Sequence, residues 1–229
     1  MPDAAPLAHC RAFVFDAYGT LLDFGSAAAG ARASLGERWA GLSEIWRAKQ
    51  LQYTWLRSLT GQHADFWRVT GEALDFALDQ LRVADPALRA RLMDLYERLP
   101  AYPDARPALQ ALRARGLKLA ILSNGAPRML ASAVRSAGLG ELLDHVLSVE
   151  DVGVYKPHPS VYRLASERLG LWAAEIGFVS ANGWDAWGAK AAGLSVAWCN
   201  RAGAPPERLP GAPDATIASL AELPGLAGA

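Results

Sequence analysis

The sequence predicts an α/β fold: a mainly parallel sheet flanked by helices, with an all-helical domain inserted after the first strand. Three observations carry that expectation. Short runs rich in branched and aromatic residues recur after turn signals. From Pro107 onward these runs alternate with helical patterns, the order that parallel strands joined by helical crossovers require. Between about Phe24 and Leu99 no convincing strand occurs and the apolar spacing is helical.

Along the chain, "AFVF" (12–15) reads as the first strand. Three helical blocks follow, "LSEIWRAKQLQYTWLRSL", "FWRVTGEALDFALDQL" and "DPALRARLMDLYERL", separated by "TGQHAD" and "RVAD". Pro100, Pro103 and Pro107 mark the return to the sheet. "RPALQALRARG" has Pro near a helix start and Gly past its end, and "PRMLASAVRSAGLG" and "PSVYRLASERLG" finish the same way. Between and after these helices, "KLAIL" (118–122), "HVLSV" (145–149), "IGFVS" (176–180) and "SVAWC" (195–199) read as strands. The tail holds one short strand near Thr216 and a terminal helix. The expected division is a Rossmann-like core domain of residues 1–23 and 100–229, with a helical cap domain over 24–99. No internal repeat or low-complexity segment interrupts it.

At 229 residues the chain is long enough to bury a sizeable core. Apolar residues make up 52%, yet Arg, Asp, Gly or Pro breaks every apolar stretch well short of a bilayer span, so no membrane association is expected. The start, "MPDAAPLAHCRAF", has neither a basic n-region nor an unbroken apolar h-region, which makes a cytoplasmic location the expectation. Lys plus Arg balances Asp plus Glu at 23 each, giving no large field to gather nucleic acid. A small molecule is the better-matched ligand. Cys10 and Cys199 lie far apart with no CxxC or Cys/His cluster, so they read as buried small apolar residues. The histidines at 9, 63, 145 and 158 lack helical i, i+4 spacing, and no zinc site is expected.

In open parallel sheets, ligands bind beyond the carboxyl ends of the strands. Asp16 ends the first run, Ser123 and Asn124 end and follow the second, and Ser180, Asn182 and Asp185 end and follow the fourth. "VYKPHP" sets Lys156 beyond the third. Singly, each has an ordinary explanation, such as an acid capping a turn or Ser-Asn opening a loop. Delivered together to one edge by separate segments, they form a constellation. A carboxylate is ionised at neutral pH and attacks electrophilic carbon or phosphorus without a base to activate it.

Four segments, "DAYGTLLD", "ILSNG", "YKPHPSVY" and "FVSANGWDAWGAKAAG", resemble the signature segments of the haloacid dehalogenase superfamily, and more narrowly of its L-2-haloacid dehalogenases. "IWRAKQLQYTWLRSL" is similar to the first cap helix of that family, and the likeness runs from Phe13 to Ala204. The resemblance implies that Asp16 is the nucleophile and that Thr20 hydrogen-bonds it. It implies that Lys156 lies beside Asp16, held with help from Ser180, and that Asn182 and Asp185 position or activate a hydrolytic water. Arg47 and Asn124 would face the leaving halide, Ser123 and the backbone N–H groups after Asp16 the substrate carboxylate. Phe66 and Trp184 would form an apolar wall, with Tyr162 near the site. Simpler roles stay open: Asp185 as a helix cap, Arg47 as a solvated or helix-paired cation, and the aromatics as core. Ala17 stands where the family commonly carries a larger aliphatic residue, which implies a roomier pocket. A short 2-haloalkanoic acid as substrate and a homodimer are also what the resemblance suggests.

Two departures from the phosphatases of the superfamily sharpen the expectation. Those enzymes carry a second Asp two places after the nucleophile, to protonate the leaving group, and another acid near the last motif that helps hold magnesium. This chain has Tyr18 and Ala181 at those places. A halide leaves as a stable anion and needs no proton, and loss of two carboxylates removes much of the oxygen set a hard divalent ion requires. No metal or other cofactor is therefore expected. The expected reaction is displacement of halide from C2 of an L-2-haloacid by Asp16 with inversion, then hydrolysis of the resulting ester to a D-2-hydroxy acid. Packing is an equally simple role for Tyr18. Alternatives are another carboxylate-nucleophile hydrolase, such as one opening a strained ring, a phosphatase, and a catalytically silent binding protein of the same fold.

Overall fold

The run "AFVF" is apolar at every position, as a strand covered on both faces requires, and β1 (Ala12–Phe15) is accordingly a strand buried along its whole length. In the computed structural model, residues 5–26 and 32–228 are described; residues 1–4, 27–31 and 229, which the expected domains include, lie outside them. Five further strands follow: β2 (Lys118–Ser123), β3 (His145–Ser148), β4 (Ile176–Ser180), β5 (Ser195–Cys199) and β6 (Ala215–Ile217). They form one sheet in the order β3-β2-β1-β4-β5-β6, every pair parallel. β3 stops one residue before the expected end, because the Ser148 hydroxyl accepts the Glu150 N–H and turns the chain into a short 3-10 segment at Val149.

The chain builds outward from β1 to β3, then returns to the other side of β1 with β4. The order reverses at the β1/β4 boundary, which is where an open parallel sheet leaves a crevice for a ligand. Phe15 lies opposite Val179 there, and the Asp16 amide still donates to the Val179 carbonyl at 2.9 Å. Register thus fixes where the Asp16 side chain leaves the sheet.

Between β1 and β2 the described residues hold only helices: α1 (Arg32–Leu35), α2 (Arg38–Thr60), α3 (Phe66–Gln80) and α4 (Pro86–Glu97), then α5 (Ala105–Ala114) against the sheet. The helix ends are written in the sequence. Asp65 and Asp85 accept the backbone N–H of Arg68 and Leu88 at the starts of α3 and α4, and Gly61 ends α2 in the left-handed conformation at φ 66°. The strand leaving β1 and the segment re-entering after α4 run side by side: the Asp23 amide donates to Pro100 O at 2.8 Å, and the Tyr102 amide to Leu21 O at 2.9 Å. The α2–α3 loop docks onto the segment after β3, with His63 Nε2 2.9 Å from Glu150 Oε2. The helical layer is thereby held over the carboxyl edge of the sheet.

The remaining helices are α6 (Pro127–Ser136), α7 (Pro159–Leu169), α8 (Gly183–Ala191) and α9 (Leu223–Leu226). Cys10 and Cys199 are buried, and burial pushes both thiols up to about 11, so they behave as the apolar residues the sequence suggested. Among the described residues no helix is long and apolar enough to cross a membrane.

Candidate active site

Asp16 is the first residue past β1 and is only 6% exposed. The chain turns sharply behind it: the Leu21 and Leu22 amides both donate to Ala17 O, and Gly19 adopts φ 91°, a conformation costly for any residue with a Cβ. That turn brings Thr20 back to its neighbour. Thr20 Oγ1 donates to Asp16 Oδ2 at 3.2 Å and accepts the Ala181 amide at 2.8 Å, which ties the β1 turn to the end of β4. Asn182 Nδ2 donates to the same Oδ2 at 3.0 Å, and Lys156 Nζ donates to Oδ1 at 3.1 Å. Three segments far apart in sequence therefore converge on one carboxylate.

Lys156 is 1% exposed, and its ammonium lies between two acids, 3.1 Å from Asp16 Oδ1 and 2.9 Å from Asp185 Oδ2. It also sits 4.9 Å from the centre of the Phe178 ring. Burial alone would lower its pKa, but Asp16 and Asp185 more than reverse that, and it is raised. The group is a fixed positive charge at neutral pH. Asn124 Oδ1 accepts the Lys156 amide at 3.1 Å, fixing the backbone that carries it and leaving the Asn124 NH₂ as its remaining donor group.

Asp185, fully buried in the first turn of α8, accepts from Tyr162 Oη at 2.8 Å as well as from Lys156. Burial pushes its carboxyl above the usual range, against the pull of Lys156 and Tyr162. Capping is not its role: α8 begins at Gly183, and both carboxylate oxygens face inward to these partners. Tyr162 fits under α8 only because residue 188 is glycine; a Cβ there would stand 2.5 Å from Tyr162 Oη and 2.7 Å from Pro157 Cβ. Gly188→Ala is expected to lower stability by about 1–3 kcal/mol and to move the Tyr162 hydroxyl off Asp185, which thermal unfolding with a pH–rate profile checks.

Ser180 departs from expectation. The Lys156 hydrogen bonds go to the two carboxylates, whereas buried Ser180 Oγ accepts the Asn182 amide at 3.1 Å and shapes the turn that presents Asn182. Ser123 is also buried, its Oγ accepting the Gly125 amide at 3.1 Å, so its proton remains free to donate.

From above, Arg47 of α2 reaches into the site and is half-buried. Its Nη2 donates to Asn182 Oδ1 at 3.2 Å, its Nη1 to Gln50 Oε1 at 2.9 Å, and the guanidinium lies 5.4 Å from the Phe24 ring centre. It is a site residue rather than a solvated cation. Tyr18 stacks on Tyr96 at 5.3 Å and packs 5.8 Å from Phe66, the first residue of α3. Burial holds the Tyr18 phenol well above its ordinary pKa, so it neither gives nor takes a proton near neutrality. Trp184 is half-buried and meets Trp55 of α2 edge-on at 5.6 Å. Ala17 is fully buried under the turn.

Two residues belong to the site that the sequence reading left out. Gln50 pairs with Arg47, and the i, i+3 spacing in "RAKQ" is a signal that could have found it. Arg201 donates to the Thr20 carbonyl at 3.1 Å while paired with Asp104, bracing the turn behind Asp16. No local pattern links positions 20 and 201.

The geometry amounts to a carboxylate held by three donors, one of them a buried ammonium, with a guanidinium above it and a second buried carboxylate behind. Comparison with known proteins adds to it. A family profile described as haloacid dehalogenase-like hydrolase matches residues 10–193. (S)-2-haloacid dehalogenase 1 of Pseudomonas sp. (strain CBS-3) is 46% identical over 94% of this chain and 96% of its own length. A crystal structure of a dehalogenase with an intermediate complex superposes with a TM-score of 0.95 at 43% identity, covering 97% of this chain and 99% of that one. The L-2-haloacid dehalogenase of Xanthobacter autotrophicus with chloropropionic acid covalently bound superposes with a TM-score of 0.86 at 41% identity, over 95% of this chain and 98% of that one.

Proposed function

This chain belongs to the haloacid dehalogenase-like hydrolases and, within them, to the (S)-2-haloacid dehalogenases, and from that premise we propose that it hydrolyses short L-2-haloacids to D-2-hydroxy acids through an ester on Asp16, without a metal ion. The observation that carries the reading is the Lys156 ammonium, buried between Asp16 and Asp185. A protein-borne cation fills the place beside the nucleophile where a divalent ion would otherwise balance its charge.

In the first step an Asp16 oxygen attacks C2 from the side opposite the halogen. The C2–O bond forms, the carbon–halogen bond breaks with its electron pair on the halide, and the centre inverts. A carboxylate offers about four lone-pair sites. Among the described residues Oδ2 accepts from Thr20 and Asn182, while Oδ1 accepts only from Lys156, so Oδ1 is the oxygen with a free lone pair. Arg47 and the Asn124 NH₂ receive the departing halide; Tyr18, neutral and stacked, supplies no proton and none is needed. Ser123 and the Ala17 and Tyr18 amides directly after Asp16 bind the substrate carboxylate, since the amides from Gly19 to Leu22 donate within the turn.

In the second step Asp185, a stronger base for its burial, takes a proton from water as the water oxygen attacks the ester carbonyl carbon of Asp16. The tetrahedral intermediate collapses, the ester C–O bond breaks, and the proton held by Asp185 ends on the oxygen of the D-2-hydroxy acid, while the second water proton, left on the Asp16 carboxyl, is released to solvent and restores the carboxylate. That product oxygen came from Asp16, and Asp16 keeps one oxygen from water. Tyr162 stabilises the ionised form of Asp185, so Tyr162→Phe is expected to move the acid limb of the kcat profile to higher pH. An unmoved limb would take Asp185 out of the basic role.

The reaction is tested by measuring chloride from each enantiomer of 2-chloropropionate in EDTA, with p-nitrophenyl phosphate and magnesium as contrast. Chloride from the L enantiomer alone is expected. Phosphate release with no chloride from either enantiomer would overturn the reading.

A further inference from the structure

Gln50 is fully buried on α2, one turn after Arg47. Its neighbours decide which way its side-chain amide faces. Thr70 Oγ1 gives its proton to Phe66 O at 2.6 Å and can therefore only accept from Gln50, whose Nε2 lies 2.8 Å away. The same NH₂ faces Tyr96 Oη at 3.0 Å, and the Tyr96 hydroxyl turns back to Oε1 at 3.4 Å. With its NH₂ committed to α3 and α4, the amide presents its carbonyl oxygen to Arg47 Nη1 at 2.9 Å. The reversed amide would set donor against donor at the guanidinium and acceptor against acceptor at Thr70.

The chain of contacts continues into the site. Arg47 Nη2 donates to Asn182 Oδ1, and Asn182 Nδ2 donates to Asp16 Oδ2. A guanidinium on a long flexible stem is effective in catalysis only if it is already in place when charge develops. We propose that Gln50, with its amide oriented by Thr70 and Tyr96, is a positioning residue that fixes the Arg47 guanidinium for the departing halide. This rests on the dehalogenation reading above.

Gln50→Leu, similar in size and without polar atoms, is expected to lower kcat for 2-chloropropionate by about 10- to 100-fold. The fall should be smaller for 2-bromopropionate, because the better leaving group leans less on the guanidinium; loss of packing alone would depress both equally. In an Arg47→Met background, assayed with the bromo acid, Gln50→Leu should add nothing further. If Gln50→Leu does not fold, Thr70→Val frees the amide to turn and is expected to give the same chloride-selective fall at about threefold. Halide release by the wild type, with the two substitutions additive or the chloro and bromo rates falling alike, overturns the role of Gln50 and leaves the reaction standing. No halide release by the wild type overturns the reaction and this inference together.

Discussion

Asp16→Ala is expected to lower halide release by roughly 10⁴-fold or more, with no substrate-derived mass left on the protein. Three donors aim at this carboxylate, and no other acid of the constellation can replace it: Asp185 already accepts from Lys156 and Tyr162 and is fully buried. The fold should survive. Removing Asp16 leaves one ammonium with one carboxylate, so Lys156 keeps its bond to Asp185 at 2.9 Å and no buried charge is stranded. Chloride assays paired with thermal unfolding would separate the two effects, and a variant that is folded yet retains wild-type rates would remove Asp16 from the nucleophile role.

Lys156→Met should produce the opposite balance. It leaves Asp16 and Asp185 facing the space of a lost cation, both buried, and is expected to cost about 3–5 kcal/mol of stability at neutral pH in addition to activity. In the wild type the Lys156 pKa is raised, so its contribution is present throughout the range below the unfolded lysine value and is lost only as pH rises through the folded one. Burial already raises Asp185, and without the ammonium it is raised further. A carboxylate with a raised folded pKa destabilises the fold in full above that folded pKa; the penalty shrinks as pH falls below it and is gone below the unfolded pKa. The stability deficit of Lys156→Met should therefore shrink from pH 7 toward mildly acidic pH. Urea unfolding at several pH values checks this, and a deficit independent of pH would mean that lost packing, not charge, is responsible.

The strands were legible because each is a short apolar run bounded by turn residues, and the helices because Asp65, Asp85 and Gly61 mark their ends. Asp16, Lys156, Asn182 and Asp185 were legible as polar residues at or beyond strand ends, where sheet topology sends them to one edge. What escaped was the choice of partner. Ser180 was expected to hold Lys156, yet it accepts the Asn182 amide, since a hydroxyl beside a turn finds the nearest backbone N–H first. Whether Arg47 is solvated or in the site depends on how α2 lies over the sheet, a contact between residues 135 apart, and spacing along one helix cannot report it. Gln50 sat in plain view as an i, i+3 neighbour, but its orientation depends on Thr70 and Tyr96 in two other helices.

Oxygen tracing tests the ester on Asp16 most directly. With enzyme in excess over L-2-chloropropionate in heavy-oxygen water, a single turnover should place the label in the peptide containing Asp16 and leave the D-2-hydroxypropionate unlabelled, because its new oxygen is the former Asp16 oxygen. Label appearing in the product of that first turnover, with none in Asp16, would contradict the ester and show that water attacks carbon itself.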